Sequence, residues 1–115
     1  MKKVLVVDDS NVDLKNLERI VSDAGAVVVT ATSGNEALAK AKETLPQLIM
    51  LDVNMPGLDG FSTARQLAAD PQTKGIPVVF VTSKDQKADR VFAQMLGAKG
   101  YVTKPYAASD ILANL

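Results

Sequence analysis

Neither cysteine nor histidine occurs in the chain, and the two absences together exclude a broad range of chemistry. Without cysteine there is no disulfide framework, no zinc–thiolate site and no redox pair. Without histidine there is no Ser-His or Cys-His nucleophile system, no histidine-rich metal site and no phosphohistidine donor. Aromatic residues make up only 4% and tryptophan is missing, so a core has to come from Val, Leu, Ile, Ala and Met. An excess of one charge is lacking too: 13 basic and 13 acidic side chains cancel to zero, with no basic block. That balance argues against a general binder of nucleic acid or anionic membrane. No apolar run approaches the roughly 20 residues that a membrane-spanning helix requires. The start, MKKVLVVDDS, puts two lysines before an apolar stretch as a signal peptide would, but the stretch is short and meets two aspartates at once. It reads as a strand, and a soluble, cytoplasmic, monomeric protein is expected.

What is present suits one compact domain over residues 1–115, with a hydrophobic fraction of 47% that can build a real core. Short apolar runs recur as VLVV at 4–7, VVVT at 27–30, LIML at 48–51, VVFV at 78–81 and a weaker GYVT at 100–103. Their brevity and Val/Ile content predict strands, and the lack of alternation predicts a parallel sheet covered on both faces. Helical patterns lie between them. Leu14, Leu17, Val21 and Ala24 share one face before Gly25. Ser33 to Glu36 reads as a capping box leading into Ala37, Leu38, Ala41 and Leu45. Phe61, Ala64, Leu67 and Ala68 mark a third helix stopped at Asp70-Pro71. Ser83 to Gln86 offers another capping box before Val91, Phe92, Met95 and a Gly97 stop. A short last helix is predicted over about Ala107–Leu115, with Ile111, Leu112 and Leu115 inward. Five strand–helix units imply right-handed crossovers and helices on both faces of a doubly wound α/β sheet.

In such sheets ligands bind at the carboxyl ends of the strands. The first predicted strand ends in Asp8-Asp9, the third in Asp52, the fourth in Thr82-Ser83 and the fifth in Thr103-Lys104-Pro105. Three crowded carboxylates raise one another's pKa values unless a cation joins them, and hard oxygen ligands without His or Cys point to Mg²⁺. A carboxylate beside that ion can attack phosphorus and form an aspartyl-phosphate. Lys104 can balance the incoming negative charge, and the Thr82 hydroxyl can donate to a phosphoryl oxygen. Singly, each residue has a plainer reading as a cap, a turn former or a solvated lysine. Asp59 is read as the cap of the third helix, and Ser10 or Asn11 as that of the first.

With those residues in place, the sequence resembles the response-regulator receiver family, the CheY-like domain of two-component signalling. VLVVDDS looks like its acidic-pair strand, LIMLDVNMPGLDG its phosphoacceptor segment, VVFVTS its hydroxyl strand and GAKGYVTKPY its Lys-Pro segment. The resemblance implies a flavodoxin-like (βα)5 fold with strand order 2-1-3-4-5. It implies that Asp52 accepts a phosphoryl group from the phosphohistidine of a sensor histidine kinase. Asp9 is then a direct Mg²⁺ ligand and Asp8 acts mainly through water, with Asp52 and the Asn54 backbone carbonyl completing the protein's share. Thr82 and Lys104 hold the phosphoryl group, the Lys104-Pro105 peptide is cis, and Tyr101 changes rotamer as Thr82 moves. That coupling alters a face built from the fourth helix, fifth strand and fifth helix, where an output protein docks. The positions of Asn54 and Lys84 tune phosphoryl lifetime in this family, and Gln47 stands where an acidic residue is common. Residues 65–106 are most similar to the PilH-like single-domain regulators of type IV pilus and twitching systems.

The expectation is therefore a stand-alone phosphorylation switch that modifies itself rather than a multiple-turnover enzyme. A phosphoaspartate phosphatase is the catalytic alternative, but Val53-Asn54 after Asp52 supplies no acid two residues on. A receiver cut from a larger regulator, or an interaction module independent of phosphorylation, is the third reading.

Overall fold

The computed structural model describes residues 2–115; of the domain expected over residues 1–115, only Met1 lies outside the described residues. Ten elements alternate along the chain: β1 (Lys3–Val7), α1 (Asn11–Asp23), β2 (Val27–Ala31), α2 (Gly34–Thr44), β3 (Leu48–Leu51), α3 (Gly60–Ala69), β4 (Val78–Thr82), α4 (Lys87–Met95), β5 (Gly100–Thr103) and α5 (Ala108–Leu112). All strand pairs are parallel and the sheet runs β2-β1-β3-β4-β5, the order that the resemblance implies. Strand order reverses between β1 and β3, which places the ends of those two strands at the topological switch point.

The uninterrupted apolar runs have a direct cause. Successive strand residues point to opposite faces, and both faces are covered. Val4, Val6, Leu48, Met50, Val79, Val81 and Val102 pack with Leu14, Leu17 and Val21 of α1 and Ile111 of α5. The alternate residues, among them Leu5, Val7, Ile49, Leu51 and Phe80, pack against Ala37 and Ala41 of α2, Phe61, Ala64 and Leu67 of α3, and Ala93 of α4. Phe61 meets Phe80 and Phe92 edge-on at centroid distances of 5.2 and 4.9 Å, so the few aromatics are concentrated on that side. Val27 at the edge strand is exposed.

Helix details depart from the sequence expectations in physical ways. Ser10 caps α1 by accepting from the Asp13 N–H at 3.3 Å, and Ala24, past the helix end, is exposed. Ser33 accepts from the Glu36 N–H, but Glu36 reaches back to the Thr32 N–H at 2.6 Å instead of closing the box on Ser33. Leu45 is not inward: it caps α2 in the left-handed region at φ 46° and is exposed. Ala68 is exposed, whereas Thr63 is buried, its hydroxyl donating to the Asp59 carbonyl. Asp59 does cap α3, accepting from the Ser62 N–H at 2.8 Å. Ser83 does not cap α4; Gln86 does, with Asp89 accepting from its N–H at 3.2 Å. Val91 and Met95 face solvent, as does Leu112 on an α5 that ends there. Among the described residues no helix is long and apolar enough to cross a membrane.

One glycine is dictated by the site it supports. A Cβ on Gly60, at the start of α3, would collide with the Asp52 carbonyl and the Val53 Cα, because the chain after β3 folds back onto the helix start. Gly60→Ala is therefore expected to cost about 1–3 kcal/mol through overpacking, rather than give the roughly 0.5–1 kcal/mol that Ala gains over Gly in a helix. Gly75→Ala, which meets open space, serves as the control in urea denaturation.

Candidate functional site

Side-chain alternation decides which strand-end residues meet. Asp8 continues the parity of Val4 and Val6, Asp52 that of Leu48 and Met50, and Lys104 that of Val102, all on the side of α1 and α5. Thr82 shares parity with Phe80 and so belongs to the opposite side, with Tyr101. The contacts follow this division. The Lys104 ammonium donates to Asp8 at 2.7 Å, to Asp13 at 3.0 Å and to Asp52 at 3.1 Å. Asp8 and Asp52 are buried, at 2% and 5% exposure, while Asp9 is exposed. Asp8, Asp9 and Asp52 each present a carboxylate oxygen within 4.8 Å of the others.

The local backbone holds these acids in place. Asp8 Oδ1 accepts from the Ser10 N–H at 2.9 Å, and Asp52 Oδ1 accepts from the Asn54 N–H at 3.1 Å. One oxygen of each carboxylate is thus tied to its own loop and the other to Lys104. The Asn54 side chain is exposed and donates to the Ser83 hydroxyl at 3.3 Å. Lys104 is carried into position by its own N–H, which donates to the Thr82 carbonyl at 2.8 Å; the peptide that follows, to Pro105, is cis.

The side-chain hydroxyls of Thr82 and Tyr101 make no hydrogen bond to this cluster; they meet each other through Lys84. The buried Thr82 hydroxyl accepts from the Lys84 N–H at 3.2 Å, and the Tyr101 hydroxyl donates to the Lys84 carbonyl at 2.7 Å. The Arg90 guanidinium lies 4.9 Å from the centre of the Tyr101 ring and donates to Asp85 and Thr103. Burial, with Asp89 nearby, raises the Tyr101 phenol.

Asp13 and Arg90 are the two contributors that sequence reasoning missed. An acid in the first turn of a helix is ordinarily explained by the helix dipole, and its partner Lys104 lies 91 residues away. The cluster's electrostatics are those of an acid-rich site with one cation. Burial pushes the Asp8 carboxyl up, and its hydrogen bond to Lys104 only partly offsets that. Burial works against the Lys104 ammonium, but its bonds to Asp8, Asp13 and Asp52 outweigh it and hold the pKa above the ordinary lysine range. The donor set is all oxygen and includes two adjacent carboxylates and a third across the switch point, which fits a hard divalent cation such as Mg²⁺.

The sequence matches the family described as the response regulator receiver domain over residues 4–115. The chain belongs to that family. It is 38% identical over 112 residues to Protein PilH of Pseudomonas aeruginosa, covering 97% of this chain and 93% of PilH. It is 44% identical over 103 residues to Response regulator PleD of Caulobacter vibrioides, covering 90% of this chain but only 23% of PleD. Among solved structures it is similar to the chemotaxis protein CheY4 of Vibrio cholerae, with a TM-score of 0.92 and 34% identity, covering 98% of this chain and 94% of that one. The fold and the PilH-like resemblance expected from the sequence are thereby borne out. Receiver domains are signalling switches of two-component systems: they bind Mg²⁺ at an acidic pocket, take phosphoryl groups from histidine kinases and act on output partners. The acidic cluster of this receiver, Asp8, Asp9 and Asp52, stands just after β1 and β3.

The pKa directions give the receiver's stability a definite pH dependence. Asp8 is raised above 3.8, so the folded state holds its proton more tightly than the unfolded chain. Ionised Asp8 therefore costs stability at neutral pH, and the cost is relieved as pH falls through the folded-state pKa. Lys104 is raised above 10.5, so its contribution is complete below that value and is lost as pH rises through the folded-state pKa. Lys104→Met should cost about 3 kcal/mol at neutral pH by leaving buried carboxylates without their cation. The gap from the unsubstituted protein should narrow toward about pH 4, where carboxylates take up protons. It should also narrow at strongly alkaline pH, where Lys104 itself is neutral. Guanidinium denaturation across that pH range checks both limbs.

Proposed function

We propose that this receiver is a stand-alone phosphorylation switch of the cytoplasm, in which Asp52 accepts a phosphoryl group from the phosphohistidine of a sensor kinase. The observation that carries the reading is the placement of a buried carboxylate at the tip of β3, bonded to a lysine and grouped with Asp8 and Asp9. Asp9 serves as a direct Mg²⁺ ligand, Asp8 acts mainly through water, and Asp52 and the Asn54 carbonyl complete the set. Bound there, Mg²⁺ neutralises the carboxylates and draws charge from the phosphoryl oxygens.

An Asp52 carboxylate oxygen forms a bond to phosphorus while the bond from phosphorus to the kinase's histidine nitrogen breaks, and the imidazole leaves with that electron pair. Lys104 stabilises the charge that accumulates on the phosphoryl oxygens. The Thr82 hydroxyl, which accepts from Lys84 in this structure, turns to donate to a phosphoryl oxygen and gives up the Lys84 N–H. The Lys84 carbonyl carries the Tyr101 hydroxyl, so the same movement reaches Tyr101. The group adds a charge of roughly −1.5 to −2, enough to favour one of two close arrangements of the α4-β5-α5 face. Val91 and Met95 stand exposed on α4, apolar contacts suited to an output protein.

Coverage of 93% of PilH supports the stand-alone form. PleD, of which the chain spans 23%, supports a second reading, a receiver within a longer regulator; the two share the chemistry at Asp52. Incubated with acetyl phosphate and Mg²⁺, the protein should gain the mass of one phosphoryl group. Chelation by EDTA and Asp52→Ala should each abolish the gain, read by intact-mass spectrometry. An equal gain on Asp52→Ala would place the acceptor elsewhere.

A further inference from the structure

Lys104 carries three N–H donors, and each is used by a carboxylate from a different segment: Asp8 after β1, Asp13 in α1 and Asp52 after β3. Two of those three carboxylates belong to the group that also includes Asp9. Asp13 does not, and it differs in setting. Its side chain is 46% exposed against 3% for Asp8 and 7% for Asp52, and it borders an open cleft of about 380 Å³ with Lys104, Ser83 and Tyr106. A divalent cation and an ammonium repel each other and compete for the same carboxylate oxygens. A cation that takes the Oδ2 atoms of Asp8 and Asp52 therefore displaces Lys104 from two of its three partners. The Lys104 side chain is only 17% exposed, so its ammonium cannot simply exchange those partners for bulk water.

We propose that Asp13 is a positioning residue that holds the Lys104 ammonium when a divalent cation claims Asp8 and Asp52. The proposal rests on the Mg²⁺ reading above and adds to it the carboxylate that makes the exchange possible. With Asp13 in place, one of the three Lys104 bonds survives cation entry and the ammonium stays beside Asp52, where an incoming phosphoryl group meets it. With the Asp13 carboxylate removed, Lys104 stays bound to Asp8 and Asp52 and opposes the cation. Asp13 also lies in the first turn of α1, where its charge favours the helix dipole. That role alone would leave cation binding independent of Lys104.

A double-mutant cycle on Mg²⁺ affinity, measured by titration calorimetry without any phosphodonor, separates these roles. Asp13→Asn should weaken Mg²⁺ binding about fivefold in the otherwise unsubstituted protein and by less than about twofold in a Lys104→Met background. Lys104→Gln replaces Lys104→Met if the latter does not fold. Asp13→Glu, which keeps the carboxylate, should restore the affinity. Asp13→Asn should also speed hydrogen exchange of the Lys104 ammonium in the Mg²⁺-loaded protein, seen by NMR, whereas loss of a helix charge alone would not. Equal weakening in both backgrounds, or none in either, overturns the proposal. If the unsubstituted protein binds no Mg²⁺, the metal reading itself fails and the proposal falls with it, an outcome distinct from the first two.

Discussion

One ammonium holds the acidic end of this receiver together. The ammonium of Lys104 accepts no hydrogen bond and donates three, and all three go to carboxylates brought in by separate parts of the chain. Remove that cation and two carboxylates remain buried within a few ångströms of each other, an arrangement that low-dielectric surroundings penalise strongly. The neighbouring geometry serves this contact. The parallel sheet brings β1, β3 and β5 to one rim, the cis Lys104-Pro105 peptide follows the lysine, and the Lys104 N–H is fixed to the Thr82 carbonyl. The site is compact because its parts share one counter-ion.

The same arithmetic bears on the response to cations and phosphate proposed for this site. Asp8, Asp9, Asp13 and Asp52 are four acids, and the cluster's own base is Lys104. A surplus of negative charge at a partly buried point is a standing attraction for a divalent ion. In the proposed switch, that ion would offset the surplus and admit an anionic phosphoryl group beside Lys104. One Asp52 oxygen is tied to the Asn54 N–H while the other faces the ammonium, which suits the acceptor role proposed for it. The Asp52 carboxylate is thus oriented by bonds that already exist rather than by rearrangement.

How much of this could be read from the sequence depends on the range of the interactions. The five strands were legible because burial on both faces leaves an unbroken apolar run, and their order along the chain imposes the α/β layering. Asp8, Asp9, Asp52 and Lys104 were legible as strand-end residues once the sheet was taken as parallel. Asp13 was not: its local pattern is that of a helix-start acid, and its partner is set by tertiary structure. The start of α4 was misplaced because Ser83 fits a cap pattern, yet the backbone just beyond it is engaged by Thr82 and Tyr101. Val91 and Met95 repeat at helical spacing as core residues do. Periodicity marks an apolar face without saying whether the protein's own core or another molecule covers it.

The two faces of the sheet also divide the labour. Charge is gathered on the α1/α5 side, while Thr82 and Tyr101 point toward the side that carries α4. Lys84 lies between them, its N–H on one residue and its carbonyl on the other. A change in what Thr82 bonds is therefore felt first in the segment leading into α4. That helix is shallowly anchored: Ala93 is its buried residue, with Phe92 half-buried against the aromatic cluster and Val91 and Met95 in solvent. Elements with few buried apolar contacts sit at the low end of local stability, so a bias of one or two hydrogen bonds is enough to redistribute them. In the proposed switch, the proximity of a charged, tightly held acceptor to a loosely held helix is what would let a single covalent event be read on the surface.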